Sequence, residues 1–167
     1  MAESDQDRQS VQHSLQQVIA LLRKHQLVKS LVHRQEMPRH DLVESLADRQ
    51  NLAELQKKLE QLHPADVAYV LEALPLDERL VVWGLVKAER DGEILLEVSD
   101  AVRETLIAHM ETKELVAATE TLDTDEIADL APDLPREVMQ DVFRSLSTEE
   151  RDQLRSESNR VQSGGGD

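Results

Sequence analysis

A pattern of helix signals recurs along this chain at an interval of sixty residues. In both copies an apolar residue precedes a helix cap, a Leu-Pro pair closes the helix, and a valine-aromatic pair follows. The aligned landmarks are Leu62-His63-Pro64 and Leu122-Asp123-Thr124, Leu74-Pro75 and Leu134-Pro135, and Val82-Trp83 and Val142-Phe143. Such a period is typical of stacked helical repeats, in which each unit buries its apolar face against its neighbours. The sequence therefore predicts an all-α fold, a superhelical (solenoid-like) array of short antiparallel helices.

The composition supports this fold class. Only 2% of the residues are aromatic, so a core must be built from Leu, Val, Ile and Ala, which suits helix-on-helix packing better than a β-sandwich. The chain has no cysteine, which excludes disulfides and cysteine-based zinc sites. No apolar run approaches the roughly 20 residues that span a bilayer.

Apolar spacing and helix breakers predict three regions. Residues 1–37 form an N-terminal extension with a long helix over 10–36, which Pro38 ends. Residues 38–157 form the helical-repeat domain, which opens with two short helices before residue 62 and continues with helices of about ten residues. Residues 158–167, with three successive glycines, are expected to be a flexible linker or tail.

Negative charge is concentrated in the second part of the chain. Residues 1–60 carry equal numbers of acidic and basic side chains, so the net charge of −15 arises entirely after residue 60. Such a surface repels phosphate backbones and anionic lipids and attracts cations or basic protein surfaces. We therefore expect neither nucleic-acid binding nor direct membrane contact.

No arrangement of residues points to catalysis. The six histidines include no pair at the helical spacing that places two imidazoles on one face. The chain has no glycine-rich phosphate loop and no nucleophile elbow. We expect that the chain is not an enzyme and has neither catalytic nor organic-cofactor-binding residues.

Carboxylates are the remaining candidates for chemistry. Asp125 and Asp129 are four residues apart and share a helix face, with Glu126 beside them, and Glu93 belongs to a second acidic stripe. Mg²⁺ prefers oxygen ligands and keeps several waters, so such side chains could bind it weakly. Acidic residues in a first helical turn also stabilise the helix and keep the surface soluble, and residue types alone leave both interpretations open.

Several phased segments resemble the intracellular N-terminal domain of MgtE-type magnesium transporters. The match begins with LHPADVAYVLEALP at 62–75 and LDER at 76–79, and continues with EILL at 93–96, LDTDEIADL at 122–130 and the Leu-Pro pair at 134–135. The resemblance covers about 38–157.

The resemblance implies a cytoplasmic, Mg²⁺-sensing regulatory domain at the inner face of the cell membrane. In that family the domain docks on a CBS domain when Mg²⁺ is high, and bridging cations hold the pore closed. By motif position Glu93, Asp125 and Asp129, and more weakly Glu126, match the metal-binding carboxylates. The implied partners are the CBS and membrane domains of the same transporter, with homodimerisation only in the full transporter and with sites that a partner domain completes.

An alternative function remains open. The same acidic array could be a protein–protein adaptor, similar to flagellar motor-switch proteins, that meets a basic partner with no ion involved. Mg²⁺-dependent docking would distinguish the first function from the second.

Overall fold

The computed structural model describes the backbone of residues 2–33 and 40–163, and the side chains of residues 5–26 and 49–160. These residues form ten α-helices and one 3-10 turn, and none of them lies in a β-strand. The helices are α1 (Ala2–His33), α2 (His40–Glu60), α3 (Pro64–Ala73), α4 (Leu76–Leu85), α5 (Ala88–Glu97), α6 (Asp100–Ala108), α7 (Thr112–Glu120), α8 (Thr124–Leu130), α9 (Arg136–Ser145) and α10 (Thr148–Ser163), with the 3-10 turn at Ala131–Asp133. The all-α prediction is confirmed, whereas the superhelical stacking stays a prediction.

The first two helices are longer than the apolar spacing indicates. The predicted N-terminal helix begins at Ala2 instead of residue 10, because nothing in the first turns breaks it. The prediction of two short helices before residue 62 is wrong, because one continuous helix covers His40–Glu60. No glycine or proline interrupts residues 41–61, so nothing in that segment ends a helix. Pro38, the predicted end of the first helix, lies outside the described residues.

The sixty-residue period is visible in the helices. The bounds of α9 are those of α4 displaced by sixty residues, and α8 begins sixty residues after α3. Buried positions also coincide, since Leu62 and Leu122 are both buried, as are Val67 and Ile127. The second copy differs at Pro132, which stands where the first has Glu72. A proline lacks the amide that the helix ladder needs, and here α8 gives way to the 3-10 turn.

The chain divides into two compact units, residues 1–86 and 87–167. In the first, which we call unit 1, α1 packs on α2 and α3, and α4 packs on α2 and α3. Trp83, the aromatic residue of the first repeat copy, is buried in this unit. Its other fully or nearly fully buried apolar side chains are Val18, Leu22, Leu55, Leu59, Val67, Val70, Leu71 and Val82.

In unit 2, residues 87–167, helix α5 contacts several other helices. It packs against α6, α7 and α8, while α7 also packs on α9 and α8 on α10. The fully or nearly fully buried apolar side chains are Ile94, Leu95, Leu106, Leu115, Ala118, Ile127, Leu130, Val138, Val142 and Leu154. Phe143, which the repeat places opposite Trp83, is only half-buried.

An arginine at the fourth residue of a helix binds the end of the preceding helix in three places. The Nε atoms of Arg79, Arg103 and Arg151 donate to the carbonyl oxygens eight residues earlier, at 2.7, 2.7 and 2.6 Å. Each acceptor lies in the last turn of its helix, where carbonyls lack intrahelical partners. These arginines therefore satisfy backbone groups and hold successive helices in a fixed orientation.

Two further predictions concern the chain ends and the membrane. Helix α10 continues through Ser163 and includes residues 158–163 of the predicted tail, while the glycines that follow lie outside the described residues. Within the described residues, no helix is both long and apolar enough to cross a bilayer.

Candidate carboxylate site on helix α8

Helix α8 presents two of the predicted carboxylates together. Asp125 and Asp129 are both exposed and lie four residues apart, so their side chains share one face of the helix. The opposite face is buried through Ile127, Ala128 and Leu130. Burial of this apolar face fixes which side of α8 reaches solvent, and it therefore directs the two aspartates outward.

The N-terminus of α8 is closed by a capping box. The amide of Glu126 donates to Oδ1 of Asp123 at 2.9 Å, and the amide of Asp123 donates to Oε2 of Glu126 at 3.0 Å. Each side chain thus satisfies one of the amides that lack partners at a helix start. Glu126, the weakest of the predicted ligands, therefore already has a structural role in this helix.

Replacing Asp123 by alanine is expected to lower the free energy of unfolding by about 1 kcal/mol, because the amide of Glu126 loses its acceptor. Urea denaturation monitored by circular dichroism measures this change. Asp123→Ser is the matched control, since serine caps as well as aspartate but carries no charge. If serine destabilises as much as alanine, the charge and not the cap is what Asp123 contributes.

A carboxylate that the sequence did not indicate meets Asp125 from α10. Helix α10 packs on α8, and Thr124 Oγ1 donates to Gln153 Oε1 at 3.4 Å between them. Glu157 lies one turn after Gln153 on α10, and a hydrogen bond to Asp125, together with burial and the charges of Asp125 and Asp123, raises its pKa. Its Oε2 is buried and has no hydrogen-bond partner among the described residues. Two acidic side chains that interact in this way are stabilised by a proton or a cation between them.

The structure does not place Glu93 together with the aspartates of α8 in a complete metal site. It is exposed on α5, a helix that packs against α8. Across the residues whose side chains are described, no group of three or more His, Asp or Glu side chains is placed to hold a metal ion. The four predicted carboxylates therefore lie on two packed helices, and the structure groups only those of α8.

Sequence reasoning did not anticipate the environment of two acidic residues that the structure singles out. Glu157 lies three residues after the fully buried Leu154, a spacing that puts both on the inner side of α10. Asp91 lies three and four residues before the buried Ile94 and Leu95 and is itself buried. In both cases the signal was an acid in register with the apolar stripe of its helix.

Comparison with protein families bears on this site. The sequence model of the MgtE intracellular N domain matches residues 62–157, which is more than half of the chain. The chain belongs to this family. The resemblance seen in the sequence is therefore confirmed. A comparison with curated proteins gives no match.

Membership of the MgtE intracellular N domain family gives two pieces of information about the candidate carboxylates. The family is one of transporter regulatory domains and not of enzymes. All four predicted carboxylates fall inside the matched residues, as do Glu157, its last residue, and Asp91.

Proposed function

We propose that this chain is the Mg²⁺-sensing regulatory domain of a magnesium transporter, cytoplasmic and without enzymatic activity. In this proposal Asp125 and Asp129, together with Glu126 on the same helix and Glu93 on α5, face an acidic surface of a CBS domain. Cations between the two surfaces hold them together and keep the pore closed. The exposed aspartates Asp125 and Asp129 on one face of α8 carry the proposal, because two carboxylates placed together on a surface are oxygen ligands that a cation can bind.

The charge of unit 2 supports a role for cations. Unit 2 contains 21 acidic and nine basic side chains, whereas unit 1 contains 13 and ten. Most of the net charge of −15 therefore belongs to the unit that carries the candidate site. Two acidic surfaces repel each other in the absence of cations, so docking on a second acidic domain requires ions that bind the docked state better than the free one.

The exposure of the aspartates fits a site that a partner completes. Asp125 and Asp129 are open to solvent, and Mg²⁺ is commonly held by one or two carboxylates while it keeps several waters. Two carboxylates on one helix bind such an ion weakly, and further oxygen ligands from a facing surface tighten the binding. A sensor requires a site that binds the ion weakly in the free domain and more tightly in the docked state.

The double variant Asp125→Asn with Asp129→Asn tests this function. Isothermal titration of the wild-type chain joined to a CBS domain is expected to show tighter Mg²⁺ binding than the chain alone. The double variant is expected to raise the Kd of the joined protein by at least about tenfold, which corresponds to about 1.4 kcal/mol of lost binding free energy. Small-angle scattering should show Mg²⁺-dependent compaction in the wild-type protein only.

A matched control separates the site from the general charge. Asp100 and Glu104 are also exposed and four residues apart, on α6, so Asp100→Asn with Glu104→Gln removes the same charge elsewhere and should leave the Kd nearly unchanged. If both double variants raise the Kd equally, the carboxylates of α8 act only through the general negative charge of the domain and not as a specific site. Docking that persists with a chelator present would overturn the cation mechanism and favour the acidic adaptor.

A further inference from the structure

The outward side of helices α3 and α4 in unit 1 is apolar. The residues, which we call the apolar face, are Ala65, Tyr69 and Ala73 of α3 and Leu76, Leu80, Val81 and Gly84 of α4. All are exposed except Leu80, which is half-buried. Among the described residues, the large apolar side chains that are exposed are Tyr69 at 43%, Leu76 at 49% and Val81 at 39%, and all three lie on this face. Single exposed apolar residues are common, whereas a group of them marks an interaction site.

Helix geometry makes these positions one surface. Within each helix they recur at intervals of four residues, as Leu76, Leu80 and Gly84 do in α4, which places them on one side. Helix α3 packs on α4. The opposite side of α4 is buried through Val82 and Trp83, so α4 is apolar on both sides. A helix that is apolar all round is normally covered on both sides, which indicates that the outward side of α4 meets another surface.

The second repeat copy shows that the fold does not require apolar residues at these positions. Sixty residues later, the same seven positions are all polar or charged, namely Asp125, Asp129, Asp133, Arg136, Gln140, Asp141 and Arg144. The surroundings are alike, because residues 61–70 and 121–130 have the same order of buried, half-buried and exposed positions. The apolar character of the first copy therefore belongs to its surface and not to the packing of the helices.

Charge limits what the apolar face can bind. Unit 1 contains 13 acidic and ten basic side chains and is nearly balanced, whereas unit 2 contains 21 and nine. Two copies of the chain can therefore approach each other through unit 1 without the repulsion that opposes contact between two copies of unit 2. An anionic lipid surface would be repelled by the net charge of −15.

We propose that the apolar face binds the same face of a second copy of this chain in a symmetric dimer. A two-fold interface uses one patch on both copies, so that each contact occurs twice. Antiparallel α4 helices that cross midway between Leu80 and Gly84 place Leu80 of each copy over Gly84 of the other. Nothing lies within 4 Å of a β-carbon placed at Gly84, so this position has space for a leucine side chain. The two Asp77 side chains then lie about 15 Å apart along the helices, where screening leaves little repulsion.

The size of the apolar face predicts a weak dimer. A helix of ten residues is about 15 Å long, and two packed helices lie about 8–10 Å apart, so the face measures roughly 300 Å² in projection. Such an area is at the lower end of specific interfaces, and we expect a Kd on the order of 100 µM. The dimer does not depend on the proposed Mg²⁺ function, since no residue of the proposed ion site belongs to the apolar face.

Analytical ultracentrifugation of the full chain, with a chelator present, tests the dimer. The wild-type chain is expected to be monomeric at about 5 µM and largely dimeric at about 500 µM. The double variant Leu80→Gln with Val81→Asp introduces the residues that the second repeat copy has at 140 and 141, which the same helix position accommodates. It is expected to raise the Kd at least about tenfold. Gln140→Glu, which adds the same single negative charge on α9, should leave the Kd nearly unchanged.

A cross-linking measurement keeps the test decisive if the double variant does not fold. The chain has no cysteine, so a single introduced cysteine reports which surfaces meet. A short bis-maleimide should join chains that carry Val81→Cys much faster than chains that carry Gln140→Cys, an exposed position on α9. Equal cross-linking of both variants would overturn the proposal. A wild-type chain that stays monomeric at about 500 µM, as expected of a face that serves a different protein, would overturn it as well.

Discussion

Replacing Gly92 by alanine is expected to destabilise unit 2 by about 2 kcal/mol, because the added β-carbon has no space. It would overlap the backbone oxygen of Ala118 and press on the side chain of Leu122. The oxygen belongs to helix α7 and cannot move aside as a flexible side chain could, so the two helices must separate. Urea denaturation followed by circular dichroism measures the loss.

The sign of this effect is the reverse of what helix propensity alone predicts. In an exposed helix interior, alanine is favoured over glycine by about 1 kcal/mol. Gly84, in α4, is the matched control, since nothing lies within 4 Å of a β-carbon placed there. Gly84→Ala should therefore stabilise the chain by about 0.5–1 kcal/mol. If both alanine variants are stabilising, α5 and α7 do not approach each other as closely as described.

Replacing Arg103 by methionine is expected to cost about 3 kcal/mol, because several charge-assisted hydrogen bonds are lost together. Its Nε donates to the carbonyl of Leu95 at 2.7 Å and one terminal nitrogen to that of Leu96 at 3.2 Å. The other terminal nitrogen donates to Asp133 at 3.2 Å, and the arginine side chain is only 11% exposed. Methionine keeps the apolar stem but leaves both carbonyls and the carboxylate without this donor.

The same substitution at Arg151 calibrates this effect. Arg151 donates to the carbonyls of Phe143 and Arg144 at 2.6 and 3.4 Å, the second of them in an exposed position, and no ion pair to a carboxylate accompanies these bonds among the described residues. Arg151→Met is therefore expected to cost about 1 kcal/mol. Thermal unfolding of both variants shows which substitution causes the larger loss of stability. Equal losses would show that the contact with Asp133 adds nothing to the backbone contacts.

The three arginines show how a sequence signal can be present and still not be interpretable. Arg79, Arg103 and Arg151 each follow a turn residue, Pro75, Ser99 and Ser147, by four positions. Ser99 and Ser147 accept hydrogen bonds from helix-start amides, as serines at helix N-termini commonly do. The spacing does not reveal that the guanidinium turns back to the preceding helix, since that depends on the angle between the two helices.

The candidate ion site likewise has one part that the sequence predicts and one part that it does not. The spacing of Asp125 and Asp129 placed both on one helix face, because the geometry of an α-helix leaves no other arrangement. The approach of Glu157 to Asp125 could not be anticipated, since it depends on how α10 packs on α8. The burial of Asp91 was equally unpredicted, because an acid on an apolar stripe is usually assigned to the edge of the helix face and to solvent.

Local rules acting within about one helical turn were sufficient to define the all-α class, the sixty-residue period and the cap of α8. Those features depend on backbone hydrogen bonds and on apolar spacing, both of which are properties of neighbouring residues. Tertiary packing alone decided the close approach at Gly92, the unpartnered oxygen of Asp91 and the carboxyl pair of Asp125 and Glu157. Each of these joins residues on different helices, and their energies depend on distances and burial that no spacing along the chain specifies.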